Sequence, residues 1–234
     1  MIDWHSHMLP EMDDGSQSVD ESISMLNLLK EQGVTCVIAT PHFYANEEPV
    51  ENFLKRRDRA RELLAQSMSE EHPRVLCGAE VKYYPGISKM KDLERLAIEG
   101  TRILLLEMPM KRWTEYTVKE LIQLAATRGL TIVMAHIERY LAFHDVELIE
   151  RLCDNGLLMQ VNASFFERRA SRRKALRLLK GGLIHVIGSD CHNLTTRAPS
   201  LLPAYELIEK KTGEELLSHL TAFGHRVLER NAVE

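Results

Sequence analysis

Imidazoles and carboxylates recur in this 234-residue sequence wherever a short apolar run gives out. His5-Ser6-His7 follows Ile2–Trp4, and Thr40-Pro41-His42 follows Val34–Ala39. The run at Val75–Gly78 leads into Ala79-Glu80, and Ile103–Leu106 leads into Glu107. Ala135-His136-Ile137-Glu138-Arg139 follows Thr131–Met134, and Gly188-Ser189-Asp190-Cys191-His192 follows Ile184–Ile187. An acidic pair, Asp13-Asp14, precedes Gly15 in the first long loop. Proton transfer alone needs one or two carboxylates and a histidine. A larger set gathered on one face would repel and desolvate itself unless cations compensated it. In an extended segment a His-x-His pair sets both rings on one side, because side chains alternate. Nitrogen and oxygen donors without thiolate suit manganese, iron or zinc rather than a structural zinc site. One ion cannot use so many ligands, so two or three are expected, able to hold a phosphoryl group and generate hydroxide near neutral pH. A lone His-x-His is more often incidental than a ligand, but six such strand ends by accident are improbable. The other histidines, His72, His144, His185, His219 and His225, lack this setting and read as surface or packing residues.

The elements that must position these groups follow one grammar: a short strand, a polar cluster, then an amphipathic helix. Strands are expected at the six runs above and at Leu157–Val161; most lack polar alternation, as strands buried on both faces do. Ser18-Val-Asp-Glu21 carries a capping-box pattern and predicts a helix with Val19, Ile23 and Leu26 on one face, ended by Gly33. Further helices are expected over Asn52–Ser67, from Thr117 to near Gly129, and near Asp145–Asn155, Ser171–Lys180 and Ala204–Lys211. A last one opens at Thr212-Gly-Glu-Glu215 with Leu216, Leu220, Phe223 and Val227 in one stripe. Seven strands alternating with helices predict an α/β fold with a parallel sheet. An open doubly wound sheet fits the same grammar but concentrates its site at one switch point. Polar clusters after nearly every strand favour a barrel with its site at the C-terminal strand ends.

Bulk properties narrow the class. No linker, low-complexity stretch or repeat divides the chain, so residues 1–234 read as a single domain. A formal net charge of −4 and a pI near 6.2 argue against a general nucleic-acid binder. No secretory signal opens the sequence, and its apolar runs are strand-sized, which predicts no membrane span. Four widely separated cysteines without a C-x-x-C pair suit a reducing cytoplasm.

Asp3-x-His5-Ser6-His7-x-Leu9-Pro10, Asp13-Asp14-Gly15, Ala39-Thr40-Pro41-His42, Gly78-Ala79-Glu80, Ala135-His136-Ile137-Glu138-Arg139-Tyr140 and Gly188-Ser189-Asp190-x-His192-Asn193 occur in that order. The chain resembles the polymerase and histidinol phosphatase (PHP) superfamily. More narrowly it is similar to the bacterial PHP protein-tyrosine phosphatases linked to capsule and exopolysaccharide synthesis, over Asp3 to Arg197. The resemblance implies a distorted seven-stranded (β/α)7 TIM-like PHP barrel with a trinuclear, typically manganese-dependent site; iron, zinc or magnesium are alternatives. It implies that His5, His7, Glu80 and Asp190 hold one metal and that Glu80 bridges to a second held by Glu107 and His136. Asp14, His42 and His192 would hold the third. Glu107 is matched only by its Leu-Leu-Glu-Met-Pro context, and Phe43 stands where many relatives have a polar residue or histidine, which bears on specificity.

Arg139 and Arg197 lie beside these ligands and match the family pattern as catalytic residues; guanidinium forks bind phosphate and stabilise charge developing in transfer. Cys191 to Arg197 also fits C-x5-R, the loop of cysteine-dependent tyrosine phosphatases, but lacks the glycines that turn phosphate-cradling amides inward. A thiolate mechanism is therefore rejected. The basic run Arg168-Arg169-Ala-Ser-Arg172-Arg173-Lys174 is of a kind usually found on a solvated helix face. It follows Asn162 closely enough to flank the site mouth and attract an acidic phosphorylated tail. The expected activity is hydrolysis of phosphotyrosine by metal-activated hydroxide on a partner bacterial tyrosine kinase. A phosphatase for histidinol phosphate or a nucleotide is the alternative, and a non-enzymatic metal-stabilised regulator a third.

Overall fold

The computed structural model describes residues 1–233 and contains nine short strands. They are β1 (Ile2–Ser6), β2 (Cys36–Ala39), β3 (His42–Phe43), β4 (Arg74–Cys77), β5 (Glu80–Lys82), β6 (Ile103–Glu107), β7 (Thr131–Met134), β8 (Leu158–Asn162) and β9 (Val186–Gly188). One ladder runs β1-β2-β4, the other β3-β5-β6-β7-β8-β9, and every pairing is parallel. The expected strands are thus present, with β3 and β5 in addition. Each of these two resumes two residues after β2 or β4 stops, at Thr40-Pro41 and Gly78-Ala79. Pro41 has no N–H with which to extend the β2 ladder. Gly78 N–H to Ala39 O (2.8 Å) and Glu80 N–H to Pro41 O (3.0 Å) carry the pairing across the break. At the far edge His7 N–H donates to Cys191 O (2.8 Å) and Asp190 N–H to His5 O (2.7 Å), bringing the first strand beside the last. The fold is α/β, with its parallel sheet curved into at least a half-barrel.

Alternation along the strands separates two apolar layers. Ile103 and Leu105, with Ile2, Trp4, Ile38 and Val133, join the smaller cluster. Leu104, Leu106, Val37 and Met134 join the larger one beneath the helices. The helices are α1 (Val19–Glu31), α2 (Val50–Ser67), α3 (Glu115–Thr127), α4 (Val146–Asp154), α5 (Ser164–Glu167), α6 (Arg172–Lys180), α7 (Leu202–Thr212) and α8 (Glu214–Arg230). Ser18 caps α1 by accepting the Glu21 N–H at 3.1 Å, whereas the Glu21 carboxylate takes the Gln17 N–H rather than closing the box on Ser18. The buried face of α1 is Ser22, Met25, Leu26 and Leu29, rotated from the expected stripe, with Val19 and Ile23 only partly covered. α3 starts earlier than expected, because Thr114, not Thr117, is the cap. α8 brings Val227 into the smaller cluster, and Gly224 lies where a Cβ would stand 3.0 Å from the Trp4 indole nitrogen.

Candidate metal centre

The strand ends, the breaks between β2 and β3 and between β4 and β5, and the loop after β1 that carries Asp14 bring the nine expected ligands into one cluster. β1 carries His5 and delivers His7; β3 and β5 open with His42 and Glu80; β6 closes with Glu107; His136, Asp190 and His192 follow β7 and β9. Two of these positions adopt the left-handed backbone that non-glycine residues avoid, His136 (φ 32°) and Asp190 (φ 55°). Such conformations cost about 1–3 kcal/mol and persist where the surroundings enforce them. Two glycines permit the close approach. A Cβ on Gly188 would lie 2.5 Å from His5 Cβ, and one on Gly15 would lie 2.0 Å from His7 O.

Buried Glu80 is the hub. Its Oε1 is 2.8 Å from His136 Nε2, and its Oε2 is 2.9 Å from His42 Nδ1 and 3.4 Å from both His5 Nε2 and His7 Nε2. Asp190 Oδ1 is 3.6 Å from both of those latter nitrogens, which are 3.1 Å apart. Asp14, the most exposed member, holds Oδ1 3.4 Å from His42 Nε2 and from His192 Nε2. Glu107 lies 3.9 Å from His136 Nε2 and is paired with Lys82 at 2.9 Å. Donor atoms lie within 4.8 Å of one another in three groups: His5-His7-Asp190, His7-Asp14-His42-His192 and His42-Glu80-Glu107. The partition drawn from the family resemblance is reproduced only in part: His7 and His42 each reach into a second group, Glu80 joins only the group with Glu107, and His136, although 2.8 Å from Glu80, belongs to none of the three.

The electrostatics are those of a site with too few cations for its carboxylates. Burial opposes charge on His7, yet the carboxylates of Asp13 and Glu80, accepting from its ring, outweigh it and raise the ring to about 10. His5 is likewise raised against burial by Glu80 and Asp190. Burial, with the nearby charges of His7 and Arg197, lowers His192 to about 4, and burial lowers His136. Glu80 and Asp190 are driven down against their own burial by these histidines. Two buried ring nitrogens face carboxylates without hydrogen-bond geometry: His42 Nδ1, 2.9 Å from Glu80 Oε2, and His192 Nε2, 3.4 Å from Asp14 Oδ1. A buried polar atom left unpaired costs about 1–3 kcal/mol, and a cation ligated there removes the cost. The donor chemistry and the orphaned nitrogens both fit divalent metal.

A second set of residues orients the ligands, and the sequence reading did not single these out for that role. Asp13 Oδ2 takes His7 Nδ1 at 2.7 Å and the His42 N–H at 2.8 Å. Gln160 Oε1 faces His5 Nδ1 at 3.3 Å and accepts the His136 N–H, while its amide donates to Asn162, which donates to Asp190 at 2.7 Å. Asp3 accepts the Ser189 N–H at 2.8 Å and the Ser189 hydroxyl at 2.6 Å, tying β1 to the Asp190 loop. Polar residues inside otherwise apolar strands, Asp3 and Gln160 among them, are the signal that marks them. Arg139 and Arg197 grip Asp190 from two sides, Arg139 through Oδ2 and Arg197 through Oδ1. Cys191 is fully buried and burial holds its thiol well above its ordinary range, the opposite of an activated nucleophile. The five histidines set aside lie outside the cluster: His144 accepts the Trp113 N–H, and His185 the Met159 N–H.

Fold and site define an α/β protein with a candidate polynuclear metal centre at its strand ends. The model of the capsular polysaccharide synthesis family CpsB/CapC matches residues 1–228, and the chain belongs to that family. Tyrosine-protein phosphatase CpsB of Streptococcus pneumoniae is 32% identical over 239 residues, covering 94% of each chain. Tyrosine-protein phosphatase YwqE of Bacillus subtilis (strain 168) is 30% identical over 244 residues, covering 100% of this chain and 93% of the relative. A chain from the crystal structures of YwqE and CpsB, described as unique metal-dependent tyrosine phosphatases, superposes with a TM-score of 0.85 at 27% identity. That superposition covers 100% of this chain and 96% of the other.

Proposed function

We propose that this protein is a metal-dependent tyrosine phosphatase of capsule or exopolysaccharide synthesis, acting on a phosphotyrosine protein such as a bacterial tyrosine kinase. The observation that carries the proposal is the convergence of His5, His7, His42 and His136 on the buried Glu80 carboxylate, with Asp190, Glu107, Asp14 and His192 set against those rings. These nine are the proposed ligands, manganese is the proposed metal, and two or three ions are the proposed load. Taking β2 with β3 and β4 with β5 as single interrupted strands gives seven barrel positions, and we read the chain as one such distorted barrel domain. Free cysteines, three of the four buried, support a reducing, cytoplasmic setting. No helix among the described residues is long and apolar enough to cross a membrane.

When bound, the ions supply positive charge to the phosphoryl oxygens and lower the pKa of water. The protein does the rest by position. Asp13 and Gln160 fix the ring planes of His7 and His5, and the buried walls keep bulk water from screening the charges. Arg139 and Arg197 stand at the edge of the cluster with guanidinium donors available to equatorial phosphoryl oxygens in transfer. The phosphorus–tyrosyl oxygen bond breaks, a bond from phosphorus to water oxygen forms, and tyrosine leaves as the phenol. Phosphate release from phosphotyrosine and phosphoserine peptides and histidinol phosphate, in manganese at one pH, tests this. Phosphotyrosine is expected to lead; a preference for histidinol phosphate contradicts the proposal.

A further inference from the structure

Two cavities flank the cluster, and their charges are opposite. One, of about 330 Å³, opens beside Asp13, Asp14 and His42 and is rimmed by Glu47 and Glu48, with Arg56, paired to Glu48, its one cation. The other, of about 370 Å³, lies on the Arg139 side and is lined by Arg139, Asn162, Phe165, Arg168 and Ser171, with Glu138 its only carboxylate. Glu138 Oε1 accepts the Asn162 N–H, its Oε2 is buried without a partner, and burial raises the carboxyl to about 7, which weakens its negative charge. Arg139 and Asn162 both hold Asp190 and both line the second cavity, so it adjoins the ligand cluster through these two side chains.

The basic run beyond β8 divides on inspection. Arg172 is spent within the fold: its guanidinium donates to Phe166 O at 3.1 Å and Glu167 O at 2.7 Å. Arg168, Arg169 and Arg173 are exposed, and among the described residues none of them pairs with a carboxylate. The Arg168 backbone holds the α5–α6 turn through Ser164 and Ser171, while the residue lines the cavity and is exposed, and its side chain makes no hydrogen bond among the described residues.

Resting on the phosphatase reading above, we propose that this cavity is the polypeptide subsite and that Arg168 selects an acidic residue flanking the phosphotyrosine. A dianionic phosphoester enters more readily over the Arg139 side than over the other, where Asp14 and Glu47 repel it and the Arg56 charge is taken up by Glu48. With phosphate at Arg139 and the tyrosyl ring beside Phe165, the neighbouring side chain of an extended peptide meets Arg168. An exposed cation of this kind sets specificity and encounter rate more than raw affinity.

The test uses the full-length, manganese-loaded enzyme and three substrates: p-nitrophenyl phosphate and two phosphotyrosine peptides differing only in flanking glutamates or lysines. The wild type is expected to favour the acidic peptide roughly three- to tenfold in kcat/KM, as one to three partly screened ion pairs provide. In Arg168→Glu that preference inverts: the acidic peptide loses and the lysine peptide gains, each read relative to the aryl phosphate. An unchanged peptide ratio in Arg168→Glu, or no preference in the wild type, overturns the subsite. Equal falls on all three substrates do so as well. Absence of turnover on every substrate, the aryl phosphate included, instead sinks the phosphatase reading and the subsite with it.

Discussion

His7 and His185 are both drawn out of water beside the sheet, yet their rings are pushed in opposite directions. His185 accepts the Met159 N–H and lies against Phe223 of α8, and burial alone takes it down to about 4. His7 is buried completely and still ends near 10, because Asp13 and Glu80 face it. The difference lies in the company each ring keeps, not in its depth. An isolated half-buried histidine stays neutral and serves packing. A histidine among several buried carboxylates sits where positive charge is wanted, and a divalent ion supplies it without protons.

Removing the hub should separate the two regions most sharply. Glu80→Gln is expected to abolish manganese binding and phosphotyrosine turnover, a loss above the ~10–100-fold cost of removing a neighbour that merely orients a ligand. Calorimetric manganese titration and phosphate release measure it, and near-normal binding would erase the contrast. Asp13→Asn leaves the ligands in place but loosens His7, so manganese affinity should fall by about 10–100-fold. Gln160→Ala, acting on His5, should cost about tenfold or less on the same titration.

The His185 side of the comparison is a matter of stability. Its folded pKa lies below the unfolded value near 6.5, so between pH 6.5 and 4 only the unfolded chain takes up the proton. Its contribution is therefore complete above pH 6.5 and is lost as the pH falls toward 4. His185→Asn keeps an acceptor for Met159 and should make the metal-free protein less acid-sensitive by about 1–2 kcal/mol, discounted for partial exposure, in urea melts at pH 7 and 4.5. An unchanged pH slope would remove the titration from the account. The smallest effect belongs to Cys191→Ser, which should retain most turnover; complete loss would restore the thiolate mechanism that the missing glycines and the buried thiol argue against.

The sequence made the cluster legible because its members recur at strand ends, where parallel sheets display them. It also marked Arg139, Arg197 and the basic run, but not which arginines are free: Arg172 is consumed by two backbone carbonyls, a tertiary fact. β3 and β5 were invisible because two or three residues carry no periodicity. Asp13 and Asp14 are adjacent and identical in type; only the folded loop turns Asp13 back onto His7 and His42 and leaves Asp14 at the mouth. Gln160 and Asp3 were legible in principle as single polar residues in buried strands, though composition does not say which ring they orient.

Crystals grown with manganese and measured at its absorption edge test the central claim most directly. The expected result is two or three anomalous peaks enclosed by His5, Glu80, His136, Asp190 and their six-strand surroundings. Peaks elsewhere, or those four side chains standing apart around no ion, would contradict it.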